Sequence, residues 1–318
     1  MKTSPVTLDD LRGVFAVPPL ARRADATRTL DAAQNQRIVQ HLVAGGVTRF
    51  LYGGNAFLYH VTLAEYETLL EWLAALQGDV WPIPSLGPSY GRAIDQARCV
   101  RAGGFPTAML LPCNDPRDAS GLERGVQEIV ASAGVPLVLY LKEEDSFGRT
   151  REAGLDAVAR LVDRGAVVAI KYAIVRDDPA SDAYLDALLA RVDRARVVSG
   201  MGERPAVVHL RRHQLPGFTT GSGCVAPALS QSILDAAVRG DWASAEAARA
   251  RFMPLEDVRD QWGPARVLHA SVEAAGIART GPIPPYVTAL EGAGLDRTRA
   301  AATALAKAEL LHERGARA

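Results

Sequence analysis

Eight short apolar runs separated by helical patterns predict an α/β chain folded as a (β/α)8 barrel, the TIM barrel, with a C-terminal helical extension. None of the runs alternates polar with apolar residues. Each is therefore buried on both faces, as parallel strands covered by helices are. No G-x-G-x-x-G follows the first run, so the doubly wound dinucleotide fold lacks its signature. A length of 318 residues suits one such barrel and an added segment.

The first strand is read at 14–17, closed by Pro18-Pro19, and a helix follows over 31–43 with Ile38, Val39 and Leu42 as its apolar stripe. The second strand, 47–52, ends at Gly53-Gly54-Asn55. Thr62-Leu63-Ala64-Glu65 is a capping box, opening a helix that runs to Leu76. The beat then repeats: strands at 80–84, 107–111, 135–140 and 166–171, and helices at 91–102, 121–133, 154–164 and 181–192. Glycines at 103, 134 and 165 mark helix ends. A seventh strand at 196–199, a helix at 205–213 and an eighth strand at 216–220 complete the count. Residues 1–227 form the barrel, and 228–318, rich in Ala, Leu and Arg, form helices packed on it.

Charge and cysteine usage narrow the function classes. Acidic and basic residues balance at 36 each, so the chain offers no basic field for nucleic acid or anionic membranes. The N-terminus has no apolar signal region, and no apolar run is long enough to span a bilayer. Three widely spaced cysteines (Cys99, Cys113, Cys224) fit free thiols in a reducing, cytoplasmic setting and lack zinc-site spacing. His209 and His213 have metal-ligand spacing but no evident third ligand. They are expected on the outer surface of the barrel.

In this architecture chemistry collects at the C-terminal ends of the strands. Those ends offer Gly53, Gly54 and Asn55, then Ser85, Cys113 and Asn114, Tyr140, Lys171, Gly200 with Glu203, and Gly221-Ser222-Gly223. Lys171 is the unusual member. The chain has four lysines against 32 arginines, and one of the four sits inside the apolar run Val167-Val168-Ala169-Ile170-Lys171-Tyr172. Arginine does not lose its proton in a protein. A desolvated lysine does, and the neutral amine attacks carbonyls. Tyr140, ending the neighbouring strand, supplies a phenol to shuttle the proton. The bland reading is a strand-end lysine whose ammonium reaches solvent.

Pro18-Pro19, Gly53-Gly54-Asn55, Tyr140 after Leu137-Val138-Leu139, and Lys171 after Ala169-Ile170 together resemble the dihydrodipicolinate synthase / N-acetylneuraminate lyase family. The turn at Ser199-Gly200-Met201-Gly202 fits its later strands. The resemblance covers nearly the whole chain. It implies a cytoplasmic, homotetrameric class I lyase without metal or organic cofactor. Lys171 would carry pyruvate or another 2-keto acid as an imine, with Tyr140 as the acid/base. Gly53, Gly54 and Asn55 would hold the keto-acid carboxylate. Gly221 and Ser222 are further substrate-binding candidates.

The chain departs from the family's pattern in three places. Pro112-Cys113-Asn114 stands where the synthase branch uses a fourth-strand tyrosine. Gly53-Gly54-Asn55-Ala56-Phe57 lacks the threonine hydroxyl of the usual proton relay. Leu141-Lys142-Glu143-Glu144-Asp145 replaces an arginine of the synthase branch, and so acidic a loop is expected to repel a dianionic aldehyde and to favour a neutral or polyhydroxylated partner such as a sugar acid. The expected reaction is aldol cleavage or condensation, or dehydration of a 2-keto-3-deoxy sugar acid. The alternative of another class is a barrel that has lost turnover and binds 2-keto acids as a regulator.

Overall fold

The computed structural model describes residues 1–113, 115 and 118–317. Asn114 and Pro116, in the loop expected after the fourth strand, lie outside the described residues. Eight parallel strands close into a barrel in sequence order. They are β1 (Val14–Ala16), β2 (Arg49–Tyr52), β3 (Trp81–Leu86), β4 (Ala108–Leu110), β5 (Leu137–Leu141), β6 (Val167–Tyr172), β7 (Val197–Ser199) and β8 (Phe218–Thr220). Closure leaves no sheet edge, and β1 pairs with β8 through Phe15 and Thr219. The expected fold class holds.

The helices alternate with the strands. They are α1 (Ala32–Ala44), α2 (Leu63–Ala74), α3 (Tyr90–Ala102), α4 (Ala119–Ala133), α5 (Arg151–Asp163), α6 (Ala183–Leu189), α7 (Glu203–Arg212) and α8 (Pro227–Val238). Asp31 caps α1 by accepting from the Gln34 N–H. The capping box of α2 is formed on both sides: Thr62 accepts from the Glu65 N–H at 3.2 Å, and Glu65 accepts from the Thr62 N–H at 2.8 Å. Gly134 ends α4 at φ 72, where its N–H bonds back to Val130 at 2.8 Å.

Strand β3 runs two residues past the expected end at Pro84. Its prolines, 82 and 84, are two apart, so both missing N–H groups face one neighbour and the ladder to the other survives. Helix α6 is shorter than expected and gives way to a 3-10 turn, Arg194–Arg196.

Beyond the barrel come α9 (Trp242–Ala250), α10 (Met253–Trp262), α11 (Pro264–Ala274) and α12 (Gly292–Arg317). The eighth barrel helix, α8, starts at Pro227, so the barrel runs past the boundary expected at 227/228. It packs on α1 and α7, closing the helical ring. One buried apolar cluster extends from Leu11 through the strands to Leu305 in α12. Barrel and extension therefore share a core. Among the described residues, no helix is long and apolar enough to cross a membrane.

Candidate active site

Strands β5 and β6 pair in parallel with Tyr140 opposite Lys171. All six residues of β6 are buried, and Lys171 is 5% exposed. A side chain on Gly200 would lie 2.6 Å from the Tyr172 carbonyl and 2.9 Å from Lys171 Cγ. The missing Cβ is what lets the lysine stem pass there.

The amine ends 3.9 Å from the centroid of the Tyr140 ring, over its face. Burial pushes the Lys171 pKa from 10.5 down to about 7, and the cations Arg259 and Lys142 push it the same way. Burial raises the Tyr140 phenol above its ordinary value, while Lys142 and Arg259 pull it back. An amine of this kind is partly neutral at pH 7 and so nucleophilic.

Lys171 and Tyr140 open onto a cavity of about 390 Å³ at the C-terminal end of the barrel. Gly54, Asn55 and Tyr59 line one side, and Gly200, Gly202, Gly221 and Arg259 line another. Gly54–Ala56 form a 3-10 turn, and the first N–H groups of such a turn have no acceptor within it. Asn55 also does structural work: its Nδ2 donates to the Val17 carbonyl at 2.8 Å, fastening the loop after β2 to the loop after β1.

Two expected substrate contacts stand behind this wall. A Cβ on Gly53 would meet Met109 Cε at 3.1 Å and the Ser85 hydroxyl at 3.3 Å, so Gly53 packs against β3 and β4. Ser222 is fully buried, and its hydroxyl donates to Glu256. Lys171, Tyr140, Gly54, Asn55 and Gly221 thus share the cavity, and Gly53 and Ser222 support it from outside.

The structure also brings in residues the sequence did not single out. Glu256 and Arg259, on α10, reach into the barrel mouth, and Arg259 Nη1 donates to Glu256 Oε1 at 2.6 Å. Three residues apart on a helix, they read in sequence as a common surface pair, and only the packing of α10 buries them. Beneath them Glu203 is wholly buried. One of its oxygens accepts from Thr220 and from Ser230, and the other has no partner among the described residues. Burial first, then the nearby Glu256, raises its pKa and favours the neutral acid.

His209 and His213 are not surface residues: each is 2% exposed. Helix α7 turns this face toward the sheet, where His209 Nδ1 is hydrogen-bonded to Ser199 Oγ at 2.8 Å and His213 Nε2 to the Pro179 carbonyl at 2.9 Å. Burial lowers the His209 pKa to about 4, so this ring in the cavity wall is neutral. Cys113 is half-buried, with its thiol 3.1 Å from Asp115.

The loop after β5 does not present its acids to the cavity. Glu144 pairs with Arg176, and Glu143 caps the 3-10 turn Glu144–Phe147. Lys142 is the residue of that loop in the cavity wall. Glu143, Glu144 and Asp145 line an adjoining pocket that shares Lys142, Arg176 and Met201 with the cavity, so the expected acidic wall lies beside the cavity and not within it.

Comparison with known proteins agrees with this architecture. The profile of the dihydrodipicolinate synthetase family matches residues 14–304. The chain belongs to that family. A search of curated proteins finds no match. Among solved structures, the dihydrodipicolinate synthase of Oceanobacillus iheyensis is 19% identical, with 95% of this chain and 97% of that chain covered and a TM-score of 0.79. PhdJ bound to a substrate intermediate is 20% identical over 96% of this chain and 98% of its own, at TM-score 0.81. YagE from Escherichia coli K12, in complex with pyruvate, is 17% identical over 92% and 98%, at 0.77. At these identities the structures speak for the fold.

Proposed function

We propose that the protein is a lyase that forms an imine between Lys171 and pyruvate or another 2-keto acid. The observation that carries this reading is a buried amine of pKa about 7, at a barrel strand end, against the face of a tyrosine on the next strand. The neutral amine adds to the keto carbon. The Tyr140 phenol protonates the departing oxygen, water leaves and the imine forms. Loss of a proton from the adjacent carbon gives an enamine. The enamine then adds to an aldehyde in the aldol direction; in cleavage it forms instead as the C–C bond to the leaving aldehyde breaks, and in dehydration it expels the 4-hydroxyl as water and leaves a conjugated iminium. Because Nζ lies over the ring, the phenol oxygen is left for the substrate. The Gly54 and Asn55 amides receive the keto-acid carboxylate.

YagE in complex with pyruvate and PhdJ bound to a substrate intermediate support the substrate class. Family resemblance extends the proposal to a cytoplasmic homotetramer that needs no cofactor.

The second reading, a barrel that binds keto acids without turnover, is favoured by the lack of a hydroxyl at positions 53–55. Against it stands the buried Lys171 amine of lowered pKa over the Tyr140 ring, an arrangement that binding alone does not need.

Incubation with pyruvate and borohydride, followed by intact mass, tests the imine. A reduced adduct mapped to Lys171 is expected in the wild type and none in Lys171→Arg. No adduct from pyruvate or from a panel of 2-keto acids would sink the proposal, and an adduct surviving in Lys171→Arg would name another lysine.

A further inference from the structure

Arg259 is buried, 8% exposed, yet half of its guanidinium has nothing to bond. Nη1 donates to Glu256 Oε1 at 2.6 Å and lies 3.5 Å from the Ser222 hydroxyl. Nε has no partner among the described residues, and no acceptor there takes Nη2 either. Nε and Nη2 share one edge of the planar group, the edge whose spacing matches the two oxygens of a carboxylate. A buried donor left unmade is costly, so Nε, on one edge with the accessible Nη2 in a cavity wall, calls for an acceptor from outside the protein.

The setting is built to hold that edge. The guanidinium packs against Gly221, where a Cβ would lie 2.4 Å from Nη2, and against Gly202, where one would lie 3.7 Å from Nη1. Glu256 holds the opposite nitrogen and fixes the rotamer. The other charges of the wall leave the same balance. Arg176 is taken by Glu144 and Asp182, and Arg204 by Asp257 and Asp260. Glu203 beneath is held toward its neutral form. Lys142 forms no ion pair among the described residues, so it and the free edge of Arg259 remain for an anion.

Lys171, Tyr140 and Arg259 line the same cavity. The cavity, about 390 Å³, is several times the volume of a three-carbon keto acid.

We propose that the free edge of Arg259 is a second carboxylate subsite, on the β7–β8 side of Lys171, and that the preferred imine partner is a 2-keto acid with a carboxylate at its far end. This rests on the imine reading for the chemistry, but the subsite can be measured without it.

Two probes of equal chain length, 2-oxoglutarate and 2-oxopentanoate, differ in that far carboxylate. Equilibrium binding of each is measured by titration calorimetry, and imine formation by borohydride trapping, in wild type, Arg259→Met and Gly221→Ala. Wild type is expected to bind 2-oxoglutarate at least tenfold more tightly, and the ratio to fall to about twofold or less in Arg259→Met. Gly221→Ala keeps the arginine but displaces its guanidinium, since a Cβ there would lie 2.4 Å from Nη2 and 2.9 Å from Nη1. It is expected to shrink the ratio too, and it answers the question if Arg259→Met fails to fold.

Equal binding of the two acids by wild type, or a ratio that persists in a folded variant, overturns the subsite. So does an equal loss for both acids, which would place the keto-acid's own carboxylate on Arg259. A preference that depends on Arg259 with no trapping of either acid would keep the subsite and sink the imine. Trapping of both without preference would do the reverse.

Discussion

At pH 7 roughly half of the Lys171 amines carry no proton, because burial and two neighbouring cations bring the pKa to about 7. Three predictions belong to this scale. The rate of imine trapping should rise with pH through about 7 and level above it, followed by stopped trapping across pH 5.5–9. Stability should move the same way. The unfolded chain takes up the Lys171 proton near 10.5 and the folded one near 7, so between these values the unfolded state binds more protons and stability rises with pH. The cost is fully present below about 7. Lys171→Met should therefore raise the melting temperature, by more at pH 6.5 than at pH 10, with a gain of at most a few kcal/mol. A thermal melt of both proteins at the two pH values checks it. Tyr140→Phe removes the phenol and leaves the ring over which the amine sits. Trapping should slow but still reach completion, while steady-state turnover drops by about 10²- to 10⁴-fold.

Single elements set the position of these side chains. The Tyr140–Lys171 register depends on β5 and β6, and the lysine stem depends on the space over Gly200. Gly200→Ala should slow trapping by at least tenfold with little loss of secondary structure by circular dichroism. An unchanged rate would mean that β7 gives way easily. On the outside of the barrel, Thr62→Ala removes one half of a capping box formed in full. It should cost about 1 kcal/mol in denaturant unfolding without touching trapping.

The molecule as a whole is less divisible than its sequence suggests. The helices after residue 238 share the barrel's apolar core, and α10 brings Glu256 and Arg259 to the cavity. A chain ending after Gly240 should neither melt cooperatively nor trap pyruvate, and a folded, trapping truncate would show the barrel to be self-sufficient. Light scattering checks the proposed tetramer, which has about four times the 33.9 kDa of one chain.

The strand count, the placing of Lys171 and Tyr140 at adjacent strand ends and the Thr62 cap were all legible in the sequence, because apolar runs and caps are local signals that barrel topology turns into positions. The surroundings of the site were not. His209 and His213 read as surface histidines until the packing of α7 buried them. The acids after Leu141 read as a wall of the site itself, and the fold sets them in an adjoining pocket, with Glu144 on Arg176 and Lys142 turned into the cavity wall. Nothing near residue 259 marked an arginine of α10 as part of the cavity. The chain's own pattern determined which strand carries the amine. Which charges surround that amine was decided by tertiary contacts across dozens of residues, since burial and electrostatic environment are properties of neighbours in space and leave no period in the sequence.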